Sequence, residues 1–262
     1  MLRYLALLCV LIWTAQASKA VPKIVGGTEA AEGEFPYLAS LRVYNSRNVL
    51  THFCGSSIIS QWLVMTAAHC MLDYPKDKIE VVVGTNDFWS GGEKYKIDKY
   101  INHENYNETS FANDISLILV NRQIQLGKKV GLVKLPTEDT PGGLDLIIAG
   151  FGFIDSYRTR PKRMQKLTVK SLTVKKCQES KLKEEERWNP ITDKLLCTFK
   201  RYGQGICQGD SGGALVHNGT VHGITSWNIP CGRGVPDVFT RVYKYLDWIT
   251  TTVGKLPIPA EK

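Results

Sequence analysis

Beyond residue 13, this 262-residue chain has no apolar run long enough to cross a bilayer, which takes about 20 residues in helical form. No paired Cys-x-x-Cys spacing occurs, so the simplest zinc frameworks are missing. There is no internal repeat and no low-complexity tract, which argues against solenoids and extended linkers. Regular strand–helix alternation is also absent, and with it the case for a doubly wound sheet. Excess charge is small: the formal +8 falls to +5 once Arg3, Lys19 and Lys23 of the acid-free first 23 residues are set aside. A nucleic-acid binder would show a basic stripe with aromatic partners. The densest basic stretch here, Arg-Thr-Arg-Pro-Lys-Arg at 158–163, sits among turn formers and reads as an exposed loop; a site for acidic partners is the alternative. Neither nucleic acid nor membrane is expected as a partner.

What is present begins with a leader. Arg3 precedes an unbroken apolar run at 5–13, and Ala15-Gln16-Ala17 offers a small-x-small cleavage signal. This predicts a signal peptide over 1–17 and a secreted, extracellular protein, a retained anchor being the alternative. Of seven cysteines, Cys9 leaves with the leader. Cys54, Cys70, Cys177, Cys197, Cys207 and Cys231 remain. An even number in an oxidising compartment reads as three disulfides, and the count alone leaves 15 pairings open. Asn107-Glu-Thr and Asn218-Gly-Thr are N-glycan sequons and suit a glycoprotein.

From Tyr37 onward, short runs rich in Val, Ile, Leu, Thr and Tyr are broken by Gly, Asn, Asp or Pro. That spacing predicts an all-β, antiparallel protein, a sandwich or barrels, with a boundary between two units near 125–143, around Pro141-Gly-Gly. Helical signals are limited to a short charged stretch at 175–188 and a better one at 243–253. In the latter, Tyr245, Leu246, Ile249 and Val253 share a face, and Gly254 and Pro257 stop it.

The chemistry centres on Gly205-Ile-Cys-Gln-Gly-Asp-Ser-Gly-Gly-Ala-Leu215. Glycines around Ser211 let a substrate approach the main chain, Asp210 precedes the serine, and Cys207 can pin the loop. A serine hydroxyl is a weak nucleophile until a base is in reach and an acid orients that base. Of five histidines, His69 stands out, in Thr-Ala-Ala-His-Cys, where a disulfide at Cys70 can fix its backbone. Asp114, in Asn-Asp-Ile-Ser-Leu, sits at the mouth of an apolar strand, where an acid is costly without a partner. Ordinary readings exist for each: a Gly-rich turn, a structural histidine, a surface turn aspartate. Gly209-x-Ser-x-Gly213 also fits the nucleophile elbow of α/β-hydrolases, but that fold requires the order Ser, Asp, His and a helix after the serine.

Together, Ile24-Val-Gly-Gly, Thr66-Ala-Ala-His-Cys70, Asn113-Asp-Ile-Ser-Leu117 and Gly209-Asp-Ser-Gly-Gly213 occur in the order and spacing of the trypsin/chymotrypsin family of serine proteases. The resemblance runs from Ile24 to about Val253 and is nearest to insect chymotrypsin-like enzymes. It implies two six-stranded antiparallel β-barrels, an N-terminal one at about 24–130 and a C-terminal one at about 140–240, with a C-terminal helix at about 243–253, in a protease domain spanning 24–262. It implies Ser211 as nucleophile, His69 as base and then acid, Asp114 as the group orienting His69, and the Gly209 and Ser211 N–H groups as the oxyanion hole. It also implies the disulfides Cys54–Cys70, Cys177–Cys197 and Cys207–Cys231.

The resemblance further implies a zymogen. A trypsin-like protease would remove the propeptide 18–23 by cutting after Lys23, and the freed amine of Ile24 would pair with Asp210. The specificity pocket departs from simple patterns. Gly205 stands where trypsin-like enzymes have a pocket-floor Asp, beside apolar Ile206; Asp237 occupies a wall position that is often Gly. Along Ser226-Trp227-Asn228, Asn228 replaces a usual Gly and narrows the entrance, while Phe111 crowds the adjoining subsite. The expectation is chymotrypsin-like cleavage after bulky apolar residues, with elastase-like or broad specificity as the alternative. A non-catalytic secreted homologue acting as a binding protein is the rival from another class, although all three triad positions are intact. Expected partners are protein or peptide substrates, the activating protease and protein protease inhibitors, around a monomer. No cofactor or metal is expected: Thr85 stands where calcium-binding relatives offer an acid, and Pro236 where sodium-sensitive ones have Tyr.

Overall fold

Alternation of apolar and polar residues at period two builds the strands. In Glu93–Asn102, Tyr95 and Ile97 face inward while Lys94, Lys96 and Asp98 face solvent. Its neighbour Ile79–Val83 is buried along its whole length. The acid within it, Glu80, is matched by Lys96 directly across the pairing, at 2.7 Å. The computed structural model describes residues 24–180, 189–229 and 231–259. The signal peptide and propeptide expected over 1–23, Lys23 included, and the charged end of the stretch 175–188 lie outside the described residues.

The strands are β1 (Thr28–Glu29), β2 (Leu38–Tyr44), β3 (Leu50–Ile58), β4 (Leu63–Thr66), β5 (Ile79–Val83), β6 (Glu93–Asn102), β7 (Ser116–Val120), β8 (Asp145–Gly150), β9 (Gln165–Leu172), β10 (Leu195–Phe199), β11 (Ala214–His217), β12 (Thr220–Trp227) and β13 (Asp237–Arg241). The first six after β1 close into a barrel in the order β2-β3-β4-β7-β6-β5. In the second, β9-β10-β13-β12-β11-β8 closes through the β8–β9 pairing. Every pairing is antiparallel. Closure removes the open edges that would invite aggregation. The all-β, two-barrel expectation is met.

One detail of the N-terminus differs from the expected division at 24–130. β1 pairs with β9, and Val25 bridges to Gly205, so residues 24–29 belong to the second barrel. The reason is apolar burial. Ile24 is fully buried among Leu146, Ile148, Ile206, Leu215 and Phe239 of that barrel's core, an environment worth about 1.5–3 kcal/mol for a side chain of this size.

Helix α1 (Val174–Gln178) starts at Thr173, whose side chain accepts from the Lys176 N–H. At the C-terminus, a 3-10 turn (Val242–Tyr245) leads into α2 (Leu246–Val253). Val242, Tyr245 and Ile249 are buried in the same core cluster as the first-barrel strands. Trp248 donates to Glu104 at 2.8 Å and stacks on His103. The C-terminal turn and helix are thereby packed on the first barrel. No helix among the described residues is long and apolar enough to cross a membrane.

Candidate active site

The loop that carries Ser211 is bonded at nearly every peptide. Asp210 N–H reaches Cys207 O at 3.1 Å, Gly212 N–H reaches Thr225 O at 2.8 Å and Gly213 N–H reaches Asp210 O at 3.0 Å. Ser211 O accepts from Gly55 N–H of the first barrel at 2.7 Å. Between these bonds, the N–H groups of Gly209 and Ser211 have no acceptor among the described residues. Unpaired backbone donors are rare in folded proteins. Two such donors, one the serine's own and one two residues before it, are chemically suited to hold a negative oxygen. Gly212 makes the turn possible: its φ is +76°, and a Cβ there would stand 2.2 Å from Thr66 Oγ1 and 2.4 Å from Gly55 O.

His69 opens a 3-10 turn (His69–Met71) just after β4, and Asp114 lies two residues before the strand entered at Ser116. Both oxygens of the fully buried Asp114 face the histidine. Oδ1 accepts its backbone N–H at 3.0 Å, and Oδ2 accepts Nδ1–H at 2.8 Å. Ser226 Oγ donates to the same Oδ2 at 2.6 Å, and Thr240 Oγ1 donates to Asp114 O at 2.7 Å. Burial, the largest influence on the His69 ring, opposes its charged form; the charge and hydrogen bond of Asp114 overcome it, with Asp73 adding, and hold its pKa above the usual histidine value. With Nδ1 engaged as donor, Nε2 is left as the basic nitrogen.

The serine loop packs on the first-barrel disulfide beside this histidine. A Cβ on Gly212 would lie 3.2 Å from Cys70 Sγ, and that sulfur is 3.7 Å from His69 Nε2. No hydrogen bond joins Ser211 Oγ to His69 among the described residues; such catalytic bonds often close only around substrate. Cys54, Cys70 and His69 are near enough to one another to suggest a metal site, but the two sulfurs are bonded to each other and offer no thiolate. All three expected disulfides form: Cys54–Cys70, Cys177–Cys197 and Cys207–Cys231.

A histidine that sequence reasoning passed over also serves the loop. His52 is buried, and burial is the main reason its pKa falls to about 3, so the ring is neutral. Nε2–H then donates to Gly209 O at 2.7 Å, while Nδ1 accepts from Ser40 Oγ at 2.7 Å. Ser40 in turn accepts from Nε of the buried Arg42 at 2.9 Å. This chain of donors fixes the peptide beside the Gly209 N–H. Its only local signal is a position two residues before Cys54.

Asp210 is buried beneath the serine. Its carboxylate accepts from Gly152 N–H at 2.9 Å and Cys207 N–H at 3.0 Å. A Cβ on Gly152 would come within 2.3 Å of that carboxylate, so only glycine admits it. Burial pushes Asp210 up to about 6. Ile24, the residue expected to supply its partner, lies in the core cluster that holds Ile206 and Leu215.

At the site expected to be the specificity pocket, the Ile206 side chain is 1% exposed and packed into that same cluster. Contrary to the sequence-based placement of an apolar side chain at the pocket, Ile206 supplies backbone. Its N–H donates to Asp237 Oδ2 at 3.0 Å, and its carbonyl accepts Asn228 Nδ2–H at 2.8 Å. Gly205 abuts Asp237, with a Cβ there only 2.7 Å from Oδ2. Asp237 is pushed up to about 8, first by burial and also by the charge of Asp210, against hydrogen bonds from Ile206 and Asn228. Ser226 and Trp227 are buried in the adjoining wall. Phe111, at φ +53°, sets its ring edge-on to His69 at 5.7 Å and packs against the cluster containing Trp227. Asn107 and Asn218 are exposed.

Two closed antiparallel barrels, with a histidine–carboxylate pair from one facing a serine loop from the other, define the class of two-barrel serine proteases. Residues 24–249 match the family model described as Trypsin, and the chain belongs to that family. It is 40% identical to Chymotrypsin-2 of Vespa crabro over 86% of this chain and 98% of that protein. It is 32% identical to Trypsin 5G1 of Aedes aegypti, over 92% and 88%, and 37% identical to Cationic trypsin-3 of Rattus norvegicus, over 88% and 90%.

Proposed function

We propose that this chain is a secreted serine endopeptidase, made as a zymogen and active once cut after Lys23. The observation that carries the reading is the pair of unpaired N–H groups at Gly209 and Ser211, together with a histidine whose Nδ1–H is held by Asp114 and whose Nε2 is left free as base. Ser211 Oγ attacks the scissile carbonyl while His69 Nε2 takes its proton. The developing oxyanion accepts from Gly209 and Ser211 N–H, donors worth about 3–4 kcal/mol each in such sites. His69, as imidazolium stabilised by Asp114, then protonates the leaving amine. Water repeats the sequence on the acyl-enzyme. Cleavage after Lys23 frees the Ile24 amine for Asp210, a buried carboxylate that has no cationic side chain bonded to it among the described residues. Its partners are protein substrates, a trypsin-like activator and protein inhibitors; it acts as a monomer, with glycans at Asn107 and Asn218.

Cleavage is chymotrypsin-like, after bulky apolar residues. The absence of an acid at Gly205 and the elevated pKa of Asp237 support an uncharged pocket at neutral pH. A second, elastase-like reading is favoured by one contact, the reach of Asn228 to Ile206 O, which fills space a large side chain needs. Trypsin-treated protein should react with a fluorophosphonate probe, and Ser211→Ala should not. Full reactivity of a Lys23→Gln variant without cleavage would remove the zymogen element, and an unlabelled, correctly cut protein would favour the binding-protein alternative.

A further inference from the structure

Gly209 lines a cavity of about 430 Å³, walled also by Phe53, Tyr74, Phe151, Phe153 and Gln208 among others, and none of Gly205, Ser226, Trp227, Asn228 and Asp237 lines it. Its rim includes Arg160, from the basic stretch at 158–163. Of that stretch only Arg160 lines the cavity; Arg163 pairs with Glu32 at 3.1 Å instead. Arg160 has no carboxylate partner among the described residues. Its guanidinium carbon lies 5.3 Å from the Phe88 ring centre and 5.2 Å from that of Phe153, a placement that steadies it by cation–π attraction. No acidic side chain lines the cavity, and its histidine, His52, is neutral. Arg160 is therefore the one ionised side chain on this wall.

The cavity's place relative to the chemistry decides what enters it. This inference rests on the protease reading. With the acyl oxygen at Gly209 and Ser211 and the preceding side chain between Gly205, Asn228 and Asp237, the acyl half of a substrate runs beside the end of β12. The leaving half must depart on the opposite side of Gly209, where this cavity opens. Phe153 N–H donates to Gln208 O at 2.9 Å, tying the Arg160-bearing loop to the oxyanion loop. An extended chain advances about 3.3 Å per residue, so the first two residues after the cut come within its span.

We propose that this cavity is a leaving-group subsite that selects an acidic residue, Asp or Glu, within two positions after the scissile bond, with Arg160 as its charge partner and the aromatic walls holding the carbon stem. The basic loop then serves substrate choice at the catalytic cleft, in preference to a remote exosite.

Internally quenched peptides sharing one acyl half and differing only in the two residues after the cut would test this on the cleaved full-length protein. A p-nitroanilide carrying the same acyl half, with no residue beyond the cut, reports the basal activity. Glu is expected to exceed Lys by about fivefold or more in kcat/KM at one of the two positions. Arg160→Glu should invert that ratio, and Arg160→Lys should retain its direction, with p-nitroanilide hydrolysis within twofold of wild type in both. An unchanged Glu/Lys ratio in Arg160→Glu, or no Glu preference in the wild type, alongside normal p-nitroanilide hydrolysis, overturns the subsite alone. No hydrolysis of either substrate overturns the protease reading and the subsite with it.

Discussion

Ser226 and His69 share one oxygen of Asp114: Oδ2 accepts the serine hydroxyl at 2.6 Å and the imidazole Nδ1–H at 2.8 Å. The carboxylate is fully buried, so these donors, with the His69 N–H on Oδ1, carry its charge. Ser226→Ala removes a charge-assisted bond of a kind worth about 1.5–3 kcal/mol. The carboxylate then leans harder on His69, and the imidazolium gains. In the proposed mechanism His69 is the base only when neutral, so an already elevated pKa that rises further moves the acid limb of kcat/KM against pH upward, by about 0.5–1 unit if roughly half of the lost bond is transferred. Activity on the acid limb should fall by the corresponding factor, about three- to tenfold, and the loss should vanish on the alkaline side of that limb. A pH–rate profile with an unmoved acid limb refutes the coupling.

The pairing of His69 with Asp114 was legible in the sequence because each lies in a short local pattern whose chemistry is incomplete without the other; the pattern around Ser211 marked the serine loop in the same way. The disulfides were countable, and their pairing followed only from the resemblance. His52 was not legible: its role depends on the carbonyl of Gly209, 157 residues away, and nothing local marks a histidine that accepts from one side and donates to the other. Ile206 was misplaced for a related reason. The residue type was read correctly as apolar, but a loop residue has no period-two rule to say which way it faces, and the core around Ile24 claimed it. The strand Thr28–Glu29 is too short to carry a pattern and exists because Ile24 anchors the chain to the second barrel.

Gly212 joins the serine loop to the first barrel, and its lack of a side chain can be separated from its backbone angle. Gly203 has the same φ of +76° but open space where a Cβ would go. Gly203→Ala should therefore show the backbone cost alone, about 1 kcal/mol. Gly212→Ala adds overlap with Thr66 Oγ1 and Gly55 O, for about 3 kcal/mol in all. In a protein of this size about 1 kcal/mol lowers Tm by roughly 2–4 °C. Calorimetry of the cleaved protein should find Gly212→Ala lowered by about 6–12 °C and Gly203→Ala by about 2–4 °C. Equal losses would mean that contact with the first barrel contributes nothing at this point.

In the proposed reading, Asn228 and Asp237 together set what the specificity pocket accepts, and pH separates their contributions. Asp237, with its pKa at about 8, is mostly a neutral acid at pH 7 and mostly a carboxylate at pH 9. A substrate cation must therefore draw off a proton at neutral pH, a cost that vanishes as pH rises through 8. The ratio of kcat/KM for Arg over Leu p-nitroanilides cancels the titration of His69, which both substrates share. It should climb about tenfold between pH 7 and pH 9, since each pH unit of required deprotonation is worth about 1.4 kcal/mol, and Asp237→Asn should flatten it. Asn228 acts by volume: its amide lies 2.8 Å from Ile206 O. Asn228→Gly should raise Phe over Ala by about tenfold, the discrimination expected when roughly one buried methylene or more of space is returned to an apolar pocket. A wild type that already prefers Phe, and that Asn228→Gly leaves unaltered, would show that the amide yields to substrate and that the elastase-like reading has no basis; an Arg/Leu ratio flat with pH would show that Asp237 never faces the substrate.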